Sequence, residues 1–252
     1  MNRTWISIIV IFTFLVSQAQ ESQFPVIEQA NQAYNAGAYQ EAIDLYNDVL
    51  KEDYSSAALY YNLGNAYFKI NDIPSAILNY EKALKLNPND QQIQFNLNIA
   101  NSQIVDKIEA VPDMFYVRWW KDFSKTFSSD DWARIAIGLY LMIILLAAVF
   151  IISRSPGLRR ISFWAGLATG IMLIISTTIS YQKYNQQIND KYAIIFSPTI
   201  TVKSSPSRSS VDLFVIHEGT KVEITDQVEG WHEIRIVNGS IGWVPQNILK
   251  KI

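Results

Sequence analysis

The chain has 252 residues, of which 49% are apolar, and a formal net charge of −2. That balance excludes a general electrostatic grip on nucleic acid, while so apolar a composition points to membrane segments. There is no cysteine, and His217 and His232 are the sole imidazoles, which excludes disulfides, thiolate catalysis and cysteine-based zinc sites. The sequence therefore offers no catalytic residue, no metal-ligand set and no cofactor motif, and a non-enzymatic role is expected.

The first element in chain order is "MNRTWISIIVIFTFLVSQAQ". Arg3 supplies a positive start, Trp5 to Val16 a short apolar core, and Ser17 and Ala19 small residues at a cleavage site. This is the pattern of a secretory signal peptide over 1–19.

Residues 23–109 repeat with a period of 34. In 57–90, Tyr60, Leu63, Gly64 and Tyr67 are followed by Ala76, Tyr80, Ala83 and Pro88. These offsets match the tetratricopeptide pattern, in which two antiparallel helices pack through small residues and aromatics fill the gaps. The frame recurs less perfectly over 23–56 through Ala30, Ala33, Ala42, Tyr46 and Val49, and 91–109 reads as a capping helix with Leu97 in register.

The tetratricopeptide resemblance implies a protein-binding groove lined by the first helix of each pair. One use of this fold is a clamp for a peptide's terminal carboxylate, built from two asparagines and three cations. Asn31 and Asn62 occupy the asparagine positions, but Ile27, Gln92 and Asn96 stand where the cations would be, so a buried carboxylate has no counter-charge. What remains is a polar stripe of Asn31, Asn62, Asn65 and Asn96. It either hydrogen-bonds an extended backbone or is simply solvated.

"DMFYVRWWKDFSKTF" places Phe115, Trp119, Phe123 and Phe127 four residues apart, with Arg118, Lys121 and Asp122 between them. Residues 113–128 thus resemble an amphipathic helix lying in a membrane interface. The apolar runs 132–153 and 161–180 are each long enough to cross a bilayer. The loop 154–160 between them carries Arg154, Arg159 and Arg160, which places it in the cytoplasm. Gly166 and Gly170 form a G-x-x-x-G that would let the second span approach the first closely.

Residues 192–252 read as a small barrel of five short strands. Val222/Ile224 and Ile234/Ile236 alternate, and Asn238-Gly239 signals a hairpin. The turn before Gly242-Trp243-Val244 and the short helical turn at Pro245–Ile248 resemble the bacterial SH3 family. The segment "SSPSRSSVD" carries Arg208 and one acid, a poor match to the acidic loop of proline-peptide binders. Trp231 and Trp243 read as packing residues, and His217 and His232 stand in strand contexts with no obvious carboxylate or nucleophile partner.

The expected fold class is a multidomain membrane protein: an all-α tetratricopeptide solenoid, a two-helix transmembrane hairpin and a C-terminal all-β SH3-like barrel. This order resembles the E-type (BatE-like) proteins of the Bacteroides aerotolerance (Bat) operon. The resemblance implies a scaffold in the bacterial inner membrane, with both soluble modules in the periplasm and a link to aerotolerance or oxidative-stress resistance. It also implies partners among von Willebrand A-domain membrane proteins and other products of that operon, beside the lipid bilayer. The alternative is an envelope-sensing or cell-wall-binding protein whose barrel contacts peptidoglycan.

Overall fold

The computed structural model describes residues 24–108, 114–188 and 191–252. The expected signal peptide lies outside them. The first described residues form helices α1 (Phe24–Asn35), α2 (Tyr39–Lys51), α3 (Ala57–Lys69), α4 (Ile73–Leu86) and α5 (Gln91–Gln103). Their ends follow from local chemistry. Ser56 Oγ accepts the Leu59 N–H, Asp72 Oδ1 the Ser75 N–H, and Asp90 Oδ1 the N–H groups of Gln92 and Ile93, satisfying donors that a helix start leaves unpaired. Gly37 and Asn71, one period apart, close the two helical turns with left-handed φ of 81° and 64°. The close approach expected of Gly64 is realised: a Cβ there would sit 2.7 Å from the Tyr80 ring and 3.3 Å from the Ala76 carbonyl.

Two cores result. Ala30, Ala42, Tyr46 and Leu63 belong to the first; Ala76, Ile77, Tyr80, Ala83, Ile93 and Leu97 belong to the second. Helix α5 stops at Gln103, short of the expected 109, and the chain beyond it leaves the helical array for the barrel.

That barrel has seven strands where the sequence suggested five: β1 (Tyr192–Ile195), β2 (Thr199–Lys203), β3 (Asp212–His217), β4 (Lys221–Val228), β5 (Trp231–Arg235), β6 (Ile241–Pro245) and β7 (Leu249–Lys251). All neighbours are antiparallel, in the order β3-β2-β6-β5-β4-β1-β7. A 3-10 turn at Gln246–Ile248 precedes β7. Strand β7 is three residues long and partly lysine, too short to show alternation, and it becomes a strand by pairing with β1. Ile195, Val202, Ile216, Val222, Ile234 and Val244 fill the barrel interior.

The repeats and the barrel belong to one compact unit, and residues 112–190 form most of a second. Ile194 of β1 is fully buried in the second helical core, with Phe196 and Ile252 packed at its edge. Asp106 Oδ2 accepts the His217 backbone N–H at 2.6 Å and the Thr220 hydroxyl at 2.8 Å, while Oδ1 meets His217 Nδ1 at 2.8 Å. Lys221 pairs with Glu81 at 2.7 Å, and Lys85 Nζ donates to the Ile252 carbonyl at 2.9 Å. The barrel thus closes the open end of the solenoid, a place that in repeat arrays needs a cap.

The second unit contains α6 (Phe115–Lys125), α7 (Ser129–Ile152) and α8 (Pro156–Ile188). Helix α8 begins inside the expected loop 154–160, because Pro156 suits a first helical position, where its missing N–H costs nothing. Helices α7 and α8 are long and apolar enough to cross a membrane. Their seam is polar in places. Ser176 Oγ donates to the Trp132 carbonyl at 2.7 Å, and Ser129 and Ser180 exchange hydroxyl-to-carbonyl bonds at 3.2 and 3.1 Å. The seam therefore runs through serines and not through Gly166 and Gly170, whose added Cβ atoms would meet nothing within 4 Å. Trp132 is buried against Phe123 and Phe127 at ring distances of 5.4 and 5.5 Å, whereas Phe115 and Trp119 are exposed.

Candidate functional site: a polar groove in the helical repeats

The four asparagines singled out in the sequence are brought together. Asn31 Oδ1 accepts from the Tyr46 hydroxyl at 2.7 Å and from Asn62 Nδ2 at 3.2 Å. One period on, Asn65 Oδ1 accepts from the Tyr80 hydroxyl at 2.8 Å and from Asn96 Nδ2 at 2.9 Å. The second unit repeats the first with every residue advanced by 34. Each unit ties three helices: the first helix of a pair, its partner, and the first helix of the next pair.

The asparagines are half-buried, and neither simply solvated nor simply a ligand stripe. The carbonyls of Asn31 and Asn65 hold the array together by accepting from the tyrosine hydroxyls and from the amides of Asn62 and Asn96. Nδ2 of Asn31 and of Asn65 makes no hydrogen bond among the described residues, so each unit keeps one amide donor for a ligand. Burial pushes the Tyr46 phenol up to about 12 and raises that of Tyr80 as well; both hydroxyls stay protonated and keep donating.

Two adjoining cavities lie along this ladder. The first, about 410 Å³, is lined by Glu28, Asn31, Tyr34, Asn35, Tyr46, Asn62 and Asn65. The second, about 330 Å³, includes Tyr61, Phe68, Lys69, Tyr80, Asn96 and Ile99 and shares Tyr34 and Asn65 with the first. The groove is thus polar along its floor and aromatic on its walls. Tyr34, Tyr61 and Glu28 were not singled out in the sequence. Tyr61 is directly bonded to Asn96 at 3.0 Å, and its place one residue before Asn62 was the signal available.

The repeat residues sit where the pattern requires. Leu63, Gly64, Ala76, Tyr80 and Ala83 are buried, Tyr60 and Tyr67 half-buried, and exposed Pro88 follows the end of α4. In the barrel, Trp231 and Trp243 are half-buried. His217 does have a carboxylate partner, Asp106, supplied from 111 residues away, where no local pattern reveals it. His232 is buried and its Nδ1 is without a hydrogen bond among the described residues. Among those residues no group of three His, Cys, Asp or Glu side chains is placed to hold a metal.

Residues 57–90 match the family model of the tetratricopeptide repeat. Residues 198–250 match that of the bacterial SH3 domain. The pair α1–α2 lies outside the first match, yet it carries the same bond set one period earlier. Among curated proteins, the chain is similar to tetratricopeptide repeat protein 16 of Mus musculus, at 30% identity over 36% of this chain and 12% of that protein. The Homo sapiens protein of the same name is 33% identical over 36% of this chain and 10% of its own length. Sperm-associated antigen 1 of Rattus norvegicus is 29% identical over 34% and 10% respectively. This chain therefore spans about a tenth of the length of these relatives.

Proposed function

We propose that this protein is a non-enzymatic, membrane-anchored adaptor whose helical groove holds an extended segment of a partner protein in the bacterial envelope. The carrying observation is the ladder of Asn31–Tyr46–Asn62 and Asn65–Tyr80–Asn96. It lines a groove with amide donors that protein packing does not consume. Such donors suit main-chain carbonyls, and an extended peptide presents these at regular intervals. Helices α7 and α8 anchor the body in the inner membrane. The core shared by segments before and after that hairpin supports an even number of crossings, with repeats and barrel on one side; the signal-like start and the basic loop 154–160 favour the periplasm for that side. The domain order supports an E-type role beside the products of a Bat operon, von Willebrand A-domain membrane proteins included, with a contribution to aerotolerance.

A photo-crosslinking residue at exposed Asn35, in living cells, tests the groove. The expected result is a crosslink to an extramembrane segment of a membrane protein, mapped by mass spectrometry, with none from the same probe at exposed Asp48. Equal crosslinking from both positions would remove the groove as the binding site. The competing reading, a barrel that grips cell wall, has the bacterial SH3 match in its favour. It predicts that the detergent-solubilised full chain pellets with purified peptidoglycan.

A further inference from the structure

Each cavity of the groove carries one charged side chain, and the signs are opposite. Glu28 lines the first and Lys69 the second. Both are exposed. The Glu28 carboxylate meets the Gln32 amide at 3.3 Å, and among the described residues neither charge has an ion-pair partner. The Nδ2 donors of Asn31 and Asn65 belong to the same two cavities.

We propose, resting on the groove reading above, that the occupant is an internal, extended protein segment bearing a basic side chain for Glu28 and an acidic one for Lys69. Coulombic complementarity at both ends fixes the segment's direction and selects it from neighbouring sequences. The spacing follows from helix geometry. Glu28 is equivalent to Asn62 in the 34-residue frame, so Lys69 lies seven residues further along, about 10 Å at a rise of ~1.5 Å per residue. Packed helices lie about 8–10 Å apart, so the backbone positions that carry the two charges are separated by about 14 Å. An extended chain covers that in about four residues. The asparagine donors between the charges take main-chain carbonyls. A free C-terminus is disfavoured, because Ile27, Gln92 and Asn96 stand where a carboxylate clamp needs cations.

Four nonapeptides on a Ser/Ala/Gln background, titrated against the full chain in detergent, test this. One carries Lys and Glu four residues apart, one Lys alone, one Glu alone and one neither. Wild-type protein is expected to bind the doubly charged peptide most tightly, with a loss of about two- to fivefold when either charge is removed, as for exposed ion pairs. Glu28→Gln is expected to abolish the advantage of the peptide lysine and leave that of the glutamate; Lys69→Gln does the converse. Added salt narrows all differences. Equal binding of the four peptides, or a Glu28→Gln loss that is the same for peptides without lysine, overturns the charge reading and leaves the groove standing. No binding by any of the four, together with no crosslink from Asn35, overturns both.

Discussion

Gly64 shows how much a single position decides. The Tyr80 ring occupies the space of its missing side chain at 2.7 Å, and the Tyr80 hydroxyl in turn anchors Asn65. Gly64→Val would drive the two helices apart and break that bond. We expect a loss of at least about 2 kcal/mol in chemical denaturation, the range for overpacking plus a lost buried hydrogen bond. Tyr80→Phe, which removes the bond alone, should cost about 1 kcal/mol. His232 is the other residue with a sharp consequence. Burial, helped by the Lys251 charge, lowers its pKa below the ordinary histidine value. In acid the unfolded chain therefore takes up a proton that the folded protein refuses. Stability is fully present above about pH 6.5 and falls as pH drops below it, with a slope of at most about 1.4 kcal/mol per pH unit. Denaturation at pH 7.5 and 5.5 should show this loss, and His232→Leu should remove most of it.

At the scale of elements, the short run after α5 matters more than its length suggests. Its Asp106 receives three bonds from the barrel. Burial works to raise that carboxyl, but the bonds from His217 and Thr220 outweigh it and hold the pKa below its ordinary value. The docking energy it supplies is present above about pH 4, the unperturbed carboxylate value, and is lost as pH falls through the lower folded value. Asp106→Ala leaves the His217 N–H and the Thr220 hydroxyl without their acceptor. It should loosen the barrel from the repeats by about 2 kcal/mol. Hydrogen exchange checks this: protection should fall in β1 and in α4 around Ile77, while the centre of β5 keeps its own. Unchanged protection in β1 would show that Ile194 and Phe196 hold the modules together without the carboxylate.

For the whole molecule, the shared core and the hairpin constrain topology together. The chain has no cysteine, so single cysteines can be placed without background. Exposed Gln40 in the repeats and Arg208 in the barrel should react alike with a membrane-impermeant maleimide in spheroplasts. A cysteine at exposed Arg154, in the hairpin turn, should react only after permeabilisation. Labelling of Gln40 and Arg208 from opposite sides would be incompatible with a core containing both Ile77 and Ile194.

Much of the fold was legible because it is periodic and local. A 34-residue frame places Leu63, Gly64 and Tyr80 without any long-range information, since helix pairing within a repeat joins residues close in sequence. Two apolar runs announce long helices by length alone. The asparagine stripe was legible as a pattern, but its bonding was not: whether Asn65 faces water or Tyr80 depends on how two helices pack. The expected count of five strands in the barrel falls two short of seven, because strands as short as β7, with three residues, leave no alternation to read.

The sequence by itself therefore determined the modules, their order and the polar face of the helical array, because each is written in residues a few positions apart. Only the tertiary structure decided that repeats and barrel are one body. The Asp106–His217 pair spans 111 positions, and Ile194 fills a core built from residues 76–100. Contacts at that separation depend on where two folded surfaces meet, and no local spacing encodes that meeting.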